Sequence, residues 1–65
     1  MATTMGTKLK RLREAKKLSR EQVARRARCS RMHVWKIEAG RSDPTVGMLR
    51  RLAKALGVPV TRLLE

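Results

Sequence analysis

Apolar side chains in this chain recur at intervals of three and four residues, the repeat of an α-helix viewed from one side. Met5, Leu9, Leu12 and Lys16 fall on one stripe with Lys8, Lys10, Arg11 and Lys17 off it, which predicts a first helix over about residues 5–16. The run Leu18-Ser19-Arg20-Glu21-Gln22 then signals a restart. Ser19 can cap a helix, Gln22 three residues on can close a capping box, and Leu18 and Val23 are spaced as a hydrophobic staple. This second helix, about 20–27, turns Val23, Ala24 and Ala27 inward. Ser30 is the cap of a third helix, about 31–39, anchored by Val34 and Ile37 and ended by Gly40. Arg41-Ser42-Asp43-Pro44 reads as a turn. Thr45 caps a fourth helix, about 46–56, with Val46, Leu49, Leu52, Ala53 and Leu56 on one face, Arg50, Arg51 and Lys54 on the other, and Gly57 at its end. Pro59 opens a last short helix, about 59–64, that carries Leu63 and Leu64. Strand signals are missing: there is no Phe or Tyr, and no stretch alternates apolar with polar residues. The pattern predicts an all-α fold of five helices in a single domain over residues 1–65, without linker, repeat or low-complexity segment.

Composition narrows the function. A chain of 65 residues can build only one small core, since a domain this size buries about 60% of its unfolded surface. Its 42% apolar content is that of a globular chain and not of a disordered basic tail. Seventeen Lys and Arg stand against 5 Asp and Glu, a formal charge of +12, so an anionic partner is expected. The single Cys29 cannot form an intramolecular disulfide, and Cys29 with His33 cannot complete a zinc site. No apolar run reaches the roughly 18 residues of a membrane helix, and the N-terminus has no basic segment leading into an apolar one. Five acids, one His and one Cys, with no phosphate loop or nucleophile motif, argue against an enzyme. The expectation is an intracellular domain with no metal, no cofactor and no small-molecule substrate.

Two short helices joined by about four residues, the second rich in outward polar groups, form a helix-turn-helix, a unit that sets its second helix in the DNA major groove. The ordered set Ser19-Arg20-Glu21-Gln22-Val23-Ala24, Cys29-Ser30-Arg31, Ile37-Glu38-Ala39-Gly40-Arg41, Pro44 and Leu52-Ala53-Lys54-Ala55-Leu56-Gly57-Val58 resembles the Cro/C1-type (lambda-repressor-like, XRE) family over roughly residues 6–64. The resemblance implies a compact five-helix DNA-binding domain, a transcription regulator and most simply a repressor, in a bacterial or phage-type cytoplasm. Its partner would be double-stranded DNA.

With the core direction of the third helix between Val34 and Ile37, a turn of about 100° per residue sends Met32, Trp35, Lys36 and Ala39 outward. Arg31 stands at the N-terminal tip, suited to a bidentate contact with guanine O6 and N7; Lys36 can reach a guanine or a phosphate, and Met32 and Trp35 offer apolar contact such as a thymine methyl. Two placements stay open for Trp35, against base pairs or folded back over the core edge, and Met32 could equally pack at the rim. Phosphate contacts are expected from Ser19, Arg20, Ser30, His33, Arg41 and Ser42, with the helix N-termini adding N–H donors. The family positions of Arg20 and Arg41 imply backbone contact. Arg25, Arg26, Arg50, Arg51 and Lys54 serve equally well as plain solubilising charge. The resemblance further implies a partly buried ion pair between Arg13 and Glu38, and a small buried hydrophobe at Cys29.

Three positions depart from the family. Arg28 and Lys17 stand where Gly or Asn commonly ends the second and first helices with positive φ, and Gly47 replaces a frequent acid in the first turn of the fourth. The tip formed by Arg31, Met32 and Trp35 is unusual enough that a natural, an excised and a designed DNA-binding protein all fit it. Nothing after Leu64 suggests a dimerisation segment, so a monomer or weak homodimer is expected. The alternative function is an antitoxin-type protein-binding module on the same fold.

Overall fold

The computed structural model describes residues 4–64. It contains helices α1 (Met5–Ala15), α2 (Arg20–Ala27), α3 (Arg31–Glu38), α4 (Val46–Leu56) and α5 (Thr61–Leu64), with no strand among the described residues. One rule of punctuation repeats along the chain. Thr4, Ser19, Ser30 and Thr45 each precede a helix in extended conformation, and each hydroxyl oxygen accepts the backbone N–H three residues on. This satisfies one of the donors that every helix start leaves free. At Ser19 the capping box is complete, with the Ser19 N–H donating to Gln22 Oε1 at 2.8 Å.

The ends follow a single rule too. Lys17, Arg28, Gly40 and Gly57 adopt φ of 56°, 58°, 75° and 70°. In each case the next residue's N–H reaches back five positions: Leu18 to the Arg13 carbonyl, Cys29 to Ala24, Arg41 to Lys36 and Val58 to Ala53, all within 2.8–3.0 Å. These are Schellman turns, and glycine is their natural left-handed residue. Lys17 and Arg28 take the same conformation at a cost of about 1–2 kcal/mol each.

Three of the expected helices are shorter than their side-chain pattern predicts. α1 stops at Ala15 and not Lys16, α3 stops at Glu38 and not Ala39, and α5 begins at Thr61 and not at Pro59. Pro59 and Val60 form the turn that launches α5, accepting from Arg62 and Leu63 through their carbonyls.

The core is aliphatic. Leu9, Val23, Val34, Ile37, Leu52 and Leu63 are wholly buried, with Ala24, Ala27, Met48, Ala53, Ala55 and Leu56 around them. α2 lies centrally, packed against α3 on one side and α4 on the other, while α1 packs on α3 and α5. Val46 corrects the expected face of α4: it is 64% exposed, and Met48 and Ala55 are buried instead. Only Val46 and Gly47 at the start of α4 thus project past the core, and burial begins at Met48.

Where α1 crosses α3 the backbones touch. Gly6 is buried, and a Cβ there would collide with the carbonyl oxygens of Ile37 and Glu38. This close crossing seats the C-terminal end of α3 directly on α1.

Candidate nucleic-acid interface

Seven of the eight residues of α3 divide cleanly, with His33 half-buried between the two sets. Val34, Ile37 and Glu38 are buried, whereas Arg31, Met32, Trp35 and Lys36 are exposed. The side chains expected to read bases thus share one outward face. Met32 is 56% and Trp35 38% exposed, and both border one depression on this face. Trp35 keeps to the outer side of α3, and the Arg41 guanidinium lies over its ring, 5.4 Å from the centroid. That cation–π contact steadies Arg41 at the far end of the face.

The N-terminus of α2 comes alongside. Ser19, Arg20 and Glu21 line one depression together with Arg31, Met32 and Trp35. Two of the expected phosphate residues therefore join three of the expected base residues on one surface, while Lys36, His33, Arg41 and Ser42 lie outside that depression. His33 and Ser42 are half-buried. The hydroxyl oxygens of Ser19 and Ser30 are occupied as acceptors by Gln22 and His33 N–H, at 3.0 Å each. Each hydroxyl keeps its own hydrogen to donate to an anion.

Glu38 organises the whole site from beneath. Arg13 donates to it twice, Nε to Oε2 at 2.7 Å and Nη2 to Oε1 at 3.2 Å, and the Glu38 side chain is only 2% exposed. A third arm of Arg13, Nη1, donates to the Leu18 carbonyl at 2.8 Å and so ties α1 to the loop before α2. Arg20 also reaches Glu38, Nε to Oε1 at 2.9 Å. This revises the reading of Arg20 as a free phosphate contact: part of its guanidinium is held inside, and its side chain is 40% exposed. The signal was present in the sequence, because on a wheel of about 100° per residue Arg20 falls between Val23 and Ala24, within the apolar face of α2. Sequence reasoning also missed Glu21, an acid on the rim of the depression that pairs with Arg25 at 3.6 Å.

Cys29 packs against the core from a half-buried position in the turn between α2 and α3. Desolvation pushes its thiol above the ordinary pKa, with the nearby Arg51 acting in the opposite direction. It is a neutral packing group at physiological pH.

A short helix set at its outer end with basic and apolar groups, and flanked by the start of a second, matches the order and geometry of one family. The helix-turn-helix domain family matches this chain over residues 4–65. The chain belongs to it. Its helix-turn-helix is α2, the Arg28–Ser30 turn and α3. An uncharacterised helix-turn-helix-type transcriptional regulator of Sinorhizobium fredii is 41% identical over 58 residues, covering 89% of this chain and 75% of that protein. The immunity repressor protein of Bacillus phage phi105 is 35% identical over 60 residues, and the chain spans 42% of its length. Among solved structures, the restriction-modification controller protein C.AhdI of Aeromonas hydrophila superposes with a TM-score of 0.89 at 32% identity, covering 91% of this chain and 89% of that one. The clp gene regulator ClgR of C. glutamicum gives 0.88 at 27% identity, with coverages of 92% and 78%. The helix-turn-helix of this chain thus sits in a Cro/C1-type, all-helical scaffold shared with repressors and gene regulators. No helix among the described residues is long and apolar enough to cross a membrane.

Proposed function

We propose that the chain binds double-stranded DNA sequence-specifically, with α3 in the major groove, and regulates transcription. The observation that carries this reading is the outward face of α3: four exposed side chains, two of them cationic, on a helix whose opposite side is pinned to the core. An α-helix fits the major groove, where every base pair presents a distinct donor and acceptor pattern. Arg31 at the tip supplies the fork for guanine, Lys36 a second cation, and Met32 and Trp35 apolar contact with thymine methyls. Ser19, Ser30, His33, Arg41 and Ser42 serve the phosphates, and Arg20 joins them with the guanidinium nitrogens that Glu38 leaves free. The bound chain acts as a monomer or weak homodimer, and occlusion of a promoter is the simplest route from binding to regulation.

Selection from a randomised duplex library tests this directly. The expected result is a sharp enriched motif, whose symmetry separates monomer from dimer. Arg31→Ala should then lose about 1–3 kcal/mol on the best site and relax preference at one or two base pairs. Uniform enrichment, or an equal loss for Arg31→Ala on every sequence, would overturn the assignment of α3 as the reading helix.

A further inference from the structure

A second basic surface lies away from the α3 face. The C-terminal ends of α2 and α4 meet in a groove lined by Arg26, Arg28, Arg51 and Lys54 together with Leu56 and Gly57. All four cations are exposed. Among the described residues none is paired with a carboxylate, and the sequence places no acid anywhere from residue 44 to 64. Arg26 Nη1 donates to the Ala55 carbonyl at 3.3 Å, which fastens one guanidinium across the groove and leaves its remaining N–H groups free.

The groove is separate from the α3 face by the geometry of α2. Glu21 lines the α3-side depression and Arg26 the groove against α4. Five residues apart, they point about 140° from each other around the helix, and they sit at its opposite ends. Helix dipoles do not account for the charge. Two helix C-termini present about one negative charge in all, at roughly half a charge each, against four full positive ones. Four cations gathered without a counter-charge repel one another, and an anion laid between them relieves that repulsion. Three of the four are guanidiniums, whose fork matches a phosphate bidentately.

We propose that this groove binds the phosphodiester backbone of duplex DNA, as a site distinct from the α3 face. The backbone can come from the flank of the duplex held by α3 or from a second duplex, in which case the chain bridges two DNA segments. An ordered row of phosphates suits cations contributed by two different helices better than a single free anion does. The inference stands whether or not α3 reads sequence, because its residues are not those of the α3 face.

The test follows backbone amide chemical shifts of the full chain by NMR during titration with mixed-sequence duplexes of about 10 and about 30 base pairs, one and three helical turns. The amides of Ala55, Leu56 and Gly57 are expected to shift. A shift with the long duplex alone identifies the flank as the source, and one that needs a second equivalent of the short duplex identifies a second segment. In Arg28→Gly/Lys54→Gln these shifts should be lost, and the magnitude of the salt slope of long-duplex binding should fall by about two, while the shifts of Met32 and Trp35 persist. Glycine at position 28 suits the positive φ there, so this variant keeps its fold; Arg51→Gln/Lys54→Gln, on α4 alone, repeats the test with no change in the turn. Groove amides that stay still while the α3 amides saturate would overturn the proposal. So would shifts that survive both double variants, or a response to polyglutamate at lower concentration than to duplex, which would mark a protein-binding surface. Failure of the α3 reading looks different: there the Met32 and Trp35 amides are the ones that do not respond.

Discussion

Glu38 shows how one buried carboxylate can serve three elements. It lies at the end of α3, takes two hydrogen bonds from Arg13 of α1 and takes a third from Arg20 of α2. A buried charge is tolerated only while its partners remain. Glu38→Ala would leave Arg13, itself buried, without its counter-charge, and should lower stability by about 3–5 kcal/mol. Urea unfolding would report this as a lower midpoint at unchanged slope. Arg28 is the opposite case, a residue that strains the fold. Its φ of 58° is one that glycine adopts freely, so Arg28→Gly is expected to raise the melting temperature by the few degrees that about 1 kcal/mol represents in a small domain. A lower melting temperature would mean that the Arg28 side chain contributes more than its backbone costs. The ion pair of Arg13 and Glu38 entered through resemblance alone, since pattern cannot say which buried acid meets which base. The sharing of Glu38 with Arg20 was written in the periodicity of α2 and was obscured by reading Arg20 as a surface cation.

At the scale of elements, the chain is legible because its punctuation is local. Four hydroxyl caps and four left-handed turns mark where helices begin and end, and each depends on residues within one turn of the boundary. The two misplaced helix ends, at Lys16 and Ala39, are cap residues that still have negative φ and stand just before the left-handed Lys17 and Gly40, so the side-chain pattern does not separate them from the helix proper. The start of α5 was harder to place, because Pro59 fits a first helical position and a preceding turn equally well. The exposure of Val46 was also out of reach, since periodicity gives a face but not where along the helix the neighbour ends. Nothing local shows that α1 crosses α3 at Gly6 with the backbones in contact. Gly6→Ala should therefore destabilise by about 1–3 kcal/mol, as overpacking does, although alanine favours helix over glycine. Thermal unfolding would decide it, and an unchanged or raised midpoint would show that α1 can slide on α3.

For the molecule as a whole, charge and shape are arranged independently. The described chain measures 30 × 23 × 22 Å around a core of small aliphatic residues, and the formal +12 is spread over the surface that encloses it. Binding to duplex should be dominated by phosphate neutralisation. About six contacts give a slope of log K against log salt near −5, and Arg41→Ala should reduce its magnitude by about one while weakening all sequences alike. A loss confined to one base position would instead make Arg41 a reader of sequence. The division within α3 has a further consequence. Val34, Ile37 and Glu38 are buried and Glu38 ties the helix to α1 and α2, whereas Arg31, Met32, Trp35 and Lys36 are exposed and make none of those hydrogen bonds. On the proposed reading of α3, foldability and target choice are encoded in interleaved letters of one eight-residue segment. Randomising the second set while holding the first would give a family of chains with a common docking angle and different addresses, limited by helix propensity and solubility and not by the core.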